Sequence, residues 1–185
     1  MKYIPFFFLI FSTLFADNIS KLNNLSLGIK FNINFLQAPK DFSLGLEVNS
    51  PLLFGTVGLN FEFDYAFLRG SIKTNIIKKE EIFNYYTYKL GIITSTGDKF
   101  DRIRPYLKLG YLMVHTPDEV FMKPFYNGIY GGFGININFS NPSFLGIFFE
   151  TMAIGIFEEI YVDEFTTRQI FASGINFAFG VKTFF

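Results

Sequence analysis

The chain has 185 residues, a length that suits one domain, and its 16 Lys and Arg balance its 16 Asp and Glu. This neutral balance argues against nucleic-acid binding, which needs clustered positive charge. The chain has no cysteine, which excludes a disulfide framework, a thiol nucleophile and a lipid anchor on cysteine. Its charged content of 17% is below the roughly 25% typical of soluble domains, while 50% of the residues are hydrophobic.

The first sixteen residues, MKYIPFFFLIFSTLFA, carry one Lys followed by an uncharged apolar run that ends at Ala16. This run is shorter than the about 20 residues that span a bilayer as a helix, and it is typical of a secretory signal peptide. We therefore expect residues 1–16 to be removed on export. Residues 17–23 form a short polar lead, and residues 24–185 form the folded domain.

Strict alternation of apolar and polar residues begins after this lead and recurs along the whole chain. In LSLGIKFNINF, for example, every second residue is Leu, Ile or Phe. Because successive side chains of a strand point to opposite faces, this pattern predicts strands rather than helices. The predicted strands are 25–35, 42–49, 55–67, 85–94, 104–114, 127–139, 144–154 and 169–185.

The connections between these strands are of two kinds. The turns at 49–52 and 140–143 are short, and the connection at 95–103 is intermediate. The connection at 37–41 is also short, whereas 68–84, 115–126 and 157–168 are longer and carry much of the charge. Eight strands place both chain ends on the same side of a barrel, so 49–52, 95–103 and 140–143 are expected to be periplasmic, and 37–41, 68–84, 115–126 and 157–168 external. Residues 71–77 are interpreted as loop or as a hairpin extension beyond the membrane.

The two faces of the strands differ in a way that indicates their surroundings. One face is Leu, Ile, Val and Phe, and the other is mostly Gly, Ser, Ala and Asn with a few charges. A soluble barrel such as a lipocalin points its apolar face inward and covers its exterior with Lys, Glu, Thr and Arg. Small inward residues and strands of about 9–11 residues instead favour a closed antiparallel up-and-down barrel that spans a membrane.

Aromatic residues near the strand ends are expected to form interfacial girdles on such a barrel. They are Phe42, Tyr65, Phe67, Tyr85, Tyr86, Tyr106, Tyr126, Phe184 and Phe185.

The last strand, FASGINFAFGVKTFF, ends on an aromatic residue of the apolar face. With Gly180, Val181, Thr183 and terminal Phe185, it resembles the C-terminal signal that the outer-membrane assembly machinery reads. As a pattern, the whole domain resembles small eight-stranded outer-membrane barrels typified by the transmembrane domain of outer membrane protein A, and less closely the small surface barrels of spirochaetes. The resemblance implies an all-β, monomeric protein of the cell outer membrane, with membrane lipid and the assembly machinery as partners.

Eight charged residues are predicted to point into the barrel. An eight-stranded barrel leaves an interior just wide enough for side chains, and buried charges are costly unless paired. We therefore expect a charge-paired plug, with a narrow channel for ions or small solutes as the alternative. The predicted network is Lys30, Glu47, Glu62, Asp64, Lys89, Lys108, Glu150 and Lys182.

The external segments carry the other candidate residues, for an adhesion or ligand-binding surface that meets an extracellular or host ligand. They are Lys78, Lys79, Glu158, Glu159, Asp163 and Glu164. The single histidine, His115, is expected to face lipid or the interface, with Asp118 and Glu119 near it only in sequence. The sequence thus predicts no catalytic residue, no metal site and no cofactor, and leaves a lipid-modifying enzyme at the rim as a remote alternative.

Overall fold

The structure of the chain is a computed structural model. It describes residues 25–34, 41–53, 56–73, 78–96, 101–116, 123–139, 145–157 and 174–184. The predicted signal peptide (1–16) and lead (17–23) lie outside the described residues.

Eight strands follow one another around a closed barrel, each paired with its neighbours in the sequence. They are β1 Ser26–Asn34, β2 Asp41–Asn49, β3 Val57–Lys73, β4 Lys78–Ser95, β5 Ile103–His115, β6 Phe125–Asn138, β7 Leu145–Ile156 and β8 Gly174–Phe184. Every pairing is antiparallel, and β8 closes the barrel against β1, with Ser26 opposite Phe184. The predicted all-β, up-and-down barrel of eight strands is therefore confirmed.

The alternation of the sequence becomes the inside and outside of this barrel. Along β2 every second residue, from Asp41 to Asn49, is buried, and every residue between them is exposed. The buried set is polar apart from Gly45, and the exposed set includes Leu44 and Leu46, which are 54% and 50% exposed. The apolar face therefore points outward. Among the described residues there is no helix long and apolar enough to cross a membrane.

The β3–β4 hairpin is longer than the sequence predicts. Its register runs without interruption from Val57–Thr94 to Lys73–Lys78. The neighbouring strands stop earlier: β2 pairs with β3 only as far as Leu68, and β5 pairs with β4 only as far as Tyr86. The expected external loop 68–84 is thus wrong for most of its length. The hairpin-extension interpretation holds, and only 74–77 remain between the two strands, outside the described residues.

The turn between β2 and β3 is also wider than predicted. β2 ends at Asn49 as expected, but β3 begins at Val57. The backbone N–H of Leu53 donates to the carbonyl of Val57 at 2.6 Å, and that of Ser50 donates to the carbonyl of Leu59 at 2.9 Å. The described part of the last strand is 174–184, so the predicted strand residues 169–173 and Phe185 lie outside the described residues.

Candidate functional site

The barrel lumen holds all eight charged residues of the predicted network. Each is at most 3% exposed. Seven strands contribute to the cluster, and β6 contributes none of the eight. At the corresponding positions β6 carries Gly132 and Gly134, which pair with Lys108 and Glu150. A Cβ atom at Gly134 would collide with the ring of Tyr106, so β6 supplies the space that its neighbours' side chains fill.

Lys108 is the centre of the cluster. Its Nζ atom lies 2.8 Å from Glu47 Oε2, 2.8 Å from Glu62 Oε1 and 2.5 Å from Glu150 Oε2. These three glutamates come so close that an oxygen from each lies within 4.8 Å of the others, a spacing that is also suited to a metal ion. Here the lysine ammonium occupies the position that a cation would take, and the remaining negative charge is met by Lys30 and Lys89 at Glu62 and by Lys182 at Glu47.

A second group of pairs surrounds Glu62 and Asp64 on β3. Lys89 Nζ lies 2.7 Å from Asp64 Oδ2 and 3.2 Å from Glu62 Oε2. Lys30 pairs with Glu62 and lies 3.8 Å from Asp64 Oδ1. Glu62 therefore contacts three lysines, more than any other carboxylate of the network.

Lys182 completes the network on β8. Its Nζ atom lies 2.6 Å from Glu47 Oε1 and 4.4 Å from the centre of the Phe148 ring. It also lies 5.1 Å from the centre of the Tyr106 ring, so two aromatic faces attract its ammonium group. Through Glu47 and Lys108 it connects to Glu62, and the eight residues form one contiguous network of four positive and four negative groups.

Uncharged side chains extend this network towards both ends of the barrel. Asn49 donates to Glu47 at 2.5 Å, and Asn60 donates to Asn49 at 2.7 Å. On the other side Asn32 and Thr87 each donate to Asp64 at 3.0 Å. Because a buried carboxylate needs several donors, these amides and hydroxyls reduce the cost of burying the charges.

An apolar cluster fills the lumen between the charges and the end of the barrel that carries the β3–β4 hairpin. It consists of Ala66, Tyr85, Leu112, Val114, Tyr126, Tyr130 and Met152. Leu112 and Val114 have no exposed surface. The sequence analysis missed this cluster because it treated the inward face as small or polar. A signal was present, since Leu112 and Val114 share the alternation phase of Lys108.

The same phase corrects part of the predicted aromatic girdle. Tyr85, Tyr106 and Tyr126 are at most 3% exposed and point into the lumen. Phe184 lies on the face of Lys182, next to Gly146. Closeness to a strand end predicted an interfacial position, but the face is set by alternation, which places these four inside. Phe185 lies outside the described residues.

The remaining girdle residues form part of a band of ring contacts on the exterior. The band runs from β8 through β1 to β6. Its contacts are Phe179–Phe31 at 5.5 Å, Phe31–Phe42 at 6.1 Å, Phe42–Phe67 at 5.0 Å, Phe67–Tyr65 at 4.7 Å, Tyr65–Tyr86 at 5.1 Å, Tyr86–His115 at 5.9 Å and His115–Phe125 at 4.7 Å. His115 is thus stacked between two rings on the outer face, as predicted from its phase, while Asp118 and Glu119 lie outside the described residues.

A small polar chamber lies beside the apolar cluster. Its volume is about 20 Å³, and its lining includes Asn32, Asp41, Asp64, Tyr85 and Thr87. This volume is close to that needed for one water molecule. The hydroxyl of Tyr85 donates to Asp41 at 2.6 Å. Asp41 is a buried charge that the sequence analysis missed.

A second buried charge that the sequence analysis missed is Arg104, which is 3% exposed. Both missed charges stand at the first positions of predicted strands or just before them, where the sequence does not fix the strand boundary.

The predicted assembly-signal residues have distinct surroundings in β8. Gly180 faces the lumen opposite Lys30, and a Cβ atom there would lie 2.7 Å from the ring of Phe148. Val181 is 48% exposed on the outer face, and Thr183 is half-buried. Packing alone therefore accounts for glycine at position 180.

Of the six predicted loop residues, two lie in a described strand and four lie outside the described residues. Lys78 and Lys79 lie in β4, paired with Lys73 and Ile72, rather than in a loop. Four others lie outside the described residues, namely Glu158, Glu159, Asp163 and Glu164.

Comparisons with known proteins find a likeness in structure but none in sequence. No protein-family model matches the chain, and no curated protein matches its sequence. Among solved structures, the chain is similar to the N-terminal β-barrel domain of Pseudomonas aeruginosa OprF, with a TM-score of 0.49 and 11% sequence identity, over 88% of this chain and 99% of that one.

Proposed function

We propose that this chain is an integral outer-membrane β-barrel with a plugged lumen, which serves a structural or surface-interaction role. The observation that carries the proposal is the distribution of side chains between its two faces. Among the outward strand side chains that the structure describes there is no Lys, Arg, Asp or Glu, and residues such as Ile29 and Leu90 are at least 60% exposed. Water is a poor solvent for such a surface, and a closed barrel can place it in lipid with all backbone groups paired.

The lumen supports the plugged form of this barrel. The contiguous salt-bridge network crosses the interior, and Leu112 and Val114 seal the space above it. The chamber beside them has a volume of about 20 Å³, which is enough for about one water molecule. A narrow channel would require several of these salt bridges to separate, so a channel is the second candidate function.

The surface role rests on what the rigid barrel carries at its external end. The β3–β4 hairpin extends beyond its neighbours, and the acidic segment that contains Glu158 and Asp163 joins β7 to β8. Loops on a rigid scaffold often carry binding residues. An extracellular or host ligand would meet these segments, whereas membrane lipid and the assembly machinery would meet the barrel wall.

The membrane assignment is tested by folding the purified protein from denaturant into detergent micelles. We expect a β-type circular dichroism spectrum and a change in gel mobility between unheated and boiled samples, since a closed barrel resists detergent unfolding without heat. The same protein folded without detergent is the control. A stable, monomeric and fully soluble product in that control contradicts the proposal.

A further inference from the structure

An apolar groove runs along the exterior of the barrel over β6, β7 and β8. Its volume is about 230 Å³. Four phenylalanines wall it, each at least 44% exposed: Phe133, Phe149, Phe177 and Phe179. Thr151, half-buried on β7, forms its floor, so a short side chain lies where the neighbouring strands carry rings.

Small residues continue the line of the groove along β7 towards the external rim. After Phe149 and Thr151, the outward residues are Ala153 and Gly155, and Gly131 of β6 pairs with Ala153. Crowding explains inward glycines such as Gly134 and Gly180. A Cβ atom at Gly155 would meet nothing within 4 Å, and one at Gly131 would meet only Leu109 Cδ1 at 3.3 Å and the Lys108 carbonyl at 3.6 Å. Packing within the barrel therefore does not account for the outward pair.

The length of this path matches one leaflet of a bilayer. Phe149 and Gly155 are six residues apart, which is about 20 Å along a strand. With the usual tilt of a barrel strand, this is about 15 Å along the membrane normal, half of a hydrocarbon core of about 30 Å. The outward side chains along the path carry no charge, and phenylalanines stand on both sides of Thr151.

We propose that this groove is a binding site for one hydrocarbon chain of a membrane lipid, held between the phenylalanines of β6, β7 and β8. The inference rests on the proposed membrane function. A flexible, uncharged chain of one leaflet's length fits the apolar groove and the strip of small residues beyond it. The groove thus binds lipid more persistently than the rest of the barrel wall does.

The chain contains no tryptophan, which permits a direct test with a single introduced tryptophan. Phe133→Trp reports on the groove, and Leu90→Trp on β4 is the matched control, because the two residues are 59% and 60% exposed. Each variant is reconstituted with phosphatidylcholine whose acyl chains carry bromine, which quenches tryptophan fluorescence on contact, and is then transferred into vesicles of the same lipid without bromine. We expect Leu90→Trp to recover its fluorescence fully and Phe133→Trp to retain most of its quenching.

A second variant separates a bound chain from slow exchange in general. Gly155→Leu, added to Phe133→Trp, fills the strip where the structure has open space, so the barrel tolerates it and retention should be lost. Equal recovery of the two single variants would overturn the groove while leaving the membrane barrel intact. A Phe133→Trp variant that is never quenched, while Leu90→Trp is, would also overturn lipid binding in the groove. It would mean that protein, such as a second copy, covers the groove. Absence of quenching in both variants would overturn the membrane barrel itself.

Discussion

At the scale of single residues, each buried charge in the lumen is stable only because oppositely charged side chains lie next to it. Burying an ion costs several kcal/mol, and the attraction of its partners repays this cost only when the geometry is good. Glu62 meets three lysines, whereas Glu150 meets only Lys108, and its Oε1 atom accepts no hydrogen bond from the described residues. The two glutamates therefore differ in how much of the network depends on them.

This difference gives a graded prediction for three Glu→Gln variants. Glu62→Gln should lower the free energy of unfolding by about 3–5 kcal/mol, because it leaves buried lysines short of a counter-charge. Glu150→Gln should cost less, since Lys108 keeps two other carboxylates. Glu158→Gln, in the predicted external segment, is the control and should change stability by about 0.5 kcal/mol or less. Urea unfolding of barrels in lipid vesicles measures all three, and equal losses would contradict the assignment of a stabilising network.

At the scale of elements, β8 combines two requirements that its sequence alone does not separate. Its last residues resemble an assembly signal, and it also closes the barrel against β1. Gly180 is needed for closure of the barrel, because any side chain there would meet Phe148 and the backbone of Ile29. Phe185 is one of the residues assigned to the assembly signal, and it is the residue with which we test that role.

The two roles can be separated by comparing folding in cells with folding in a test tube. Deletion of Phe185 should reduce the amount of protein in the outer membrane several-fold and leave export and refolding in detergent intact, since purified barrels fold without the machinery. Gly180→Leu should impair refolding in detergent as well, because it disrupts packing. Cell fractionation and gel mobility are the two measurements. Normal outer-membrane levels after the deletion would show that the terminal residue is not read.

The β3–β4 hairpin shows where sequence reasoning about elements ends. Residues 68–84 include Gly, Asn and many charges, a composition typical of loops. Nonetheless β3 and β4 remain paired through this segment, so the hairpin extends beyond the ends of β2 and β5. Local composition therefore predicted the turn region but not the length of the ladder, which depends on how well the two strands match each other.

At the scale of the whole molecule, alternation predicted most of the architecture because a period of two assigns every strand residue to a face. It placed the eight lumen charges on the inward face, where the structure also has them. It did not predict which groups meet. Lys108 and Glu62 are 46 residues apart, and their contact depends on the stagger of the strands around the closed barrel. The same limit applies to the groove on the exterior of the barrel, which needs β6, β7 and β8 to be paired side by side.

The proposed plug leads to a prediction about the whole molecule, namely that it conducts ions poorly. The network joins seven strands across the interior, and Leu112 and Val114 fill the space above it. Separating the salt bridges would leave buried charges without partners, at a cost of several kcal/mol each. Single-channel recordings in planar bilayers should therefore show at most rare, small openings. Glu62→Gln should make such openings more frequent, because it weakens three contacts at once, while Glu158→Gln should not alter them. Long-lived openings of porin size in the unmodified protein would contradict the plug and favour the channel.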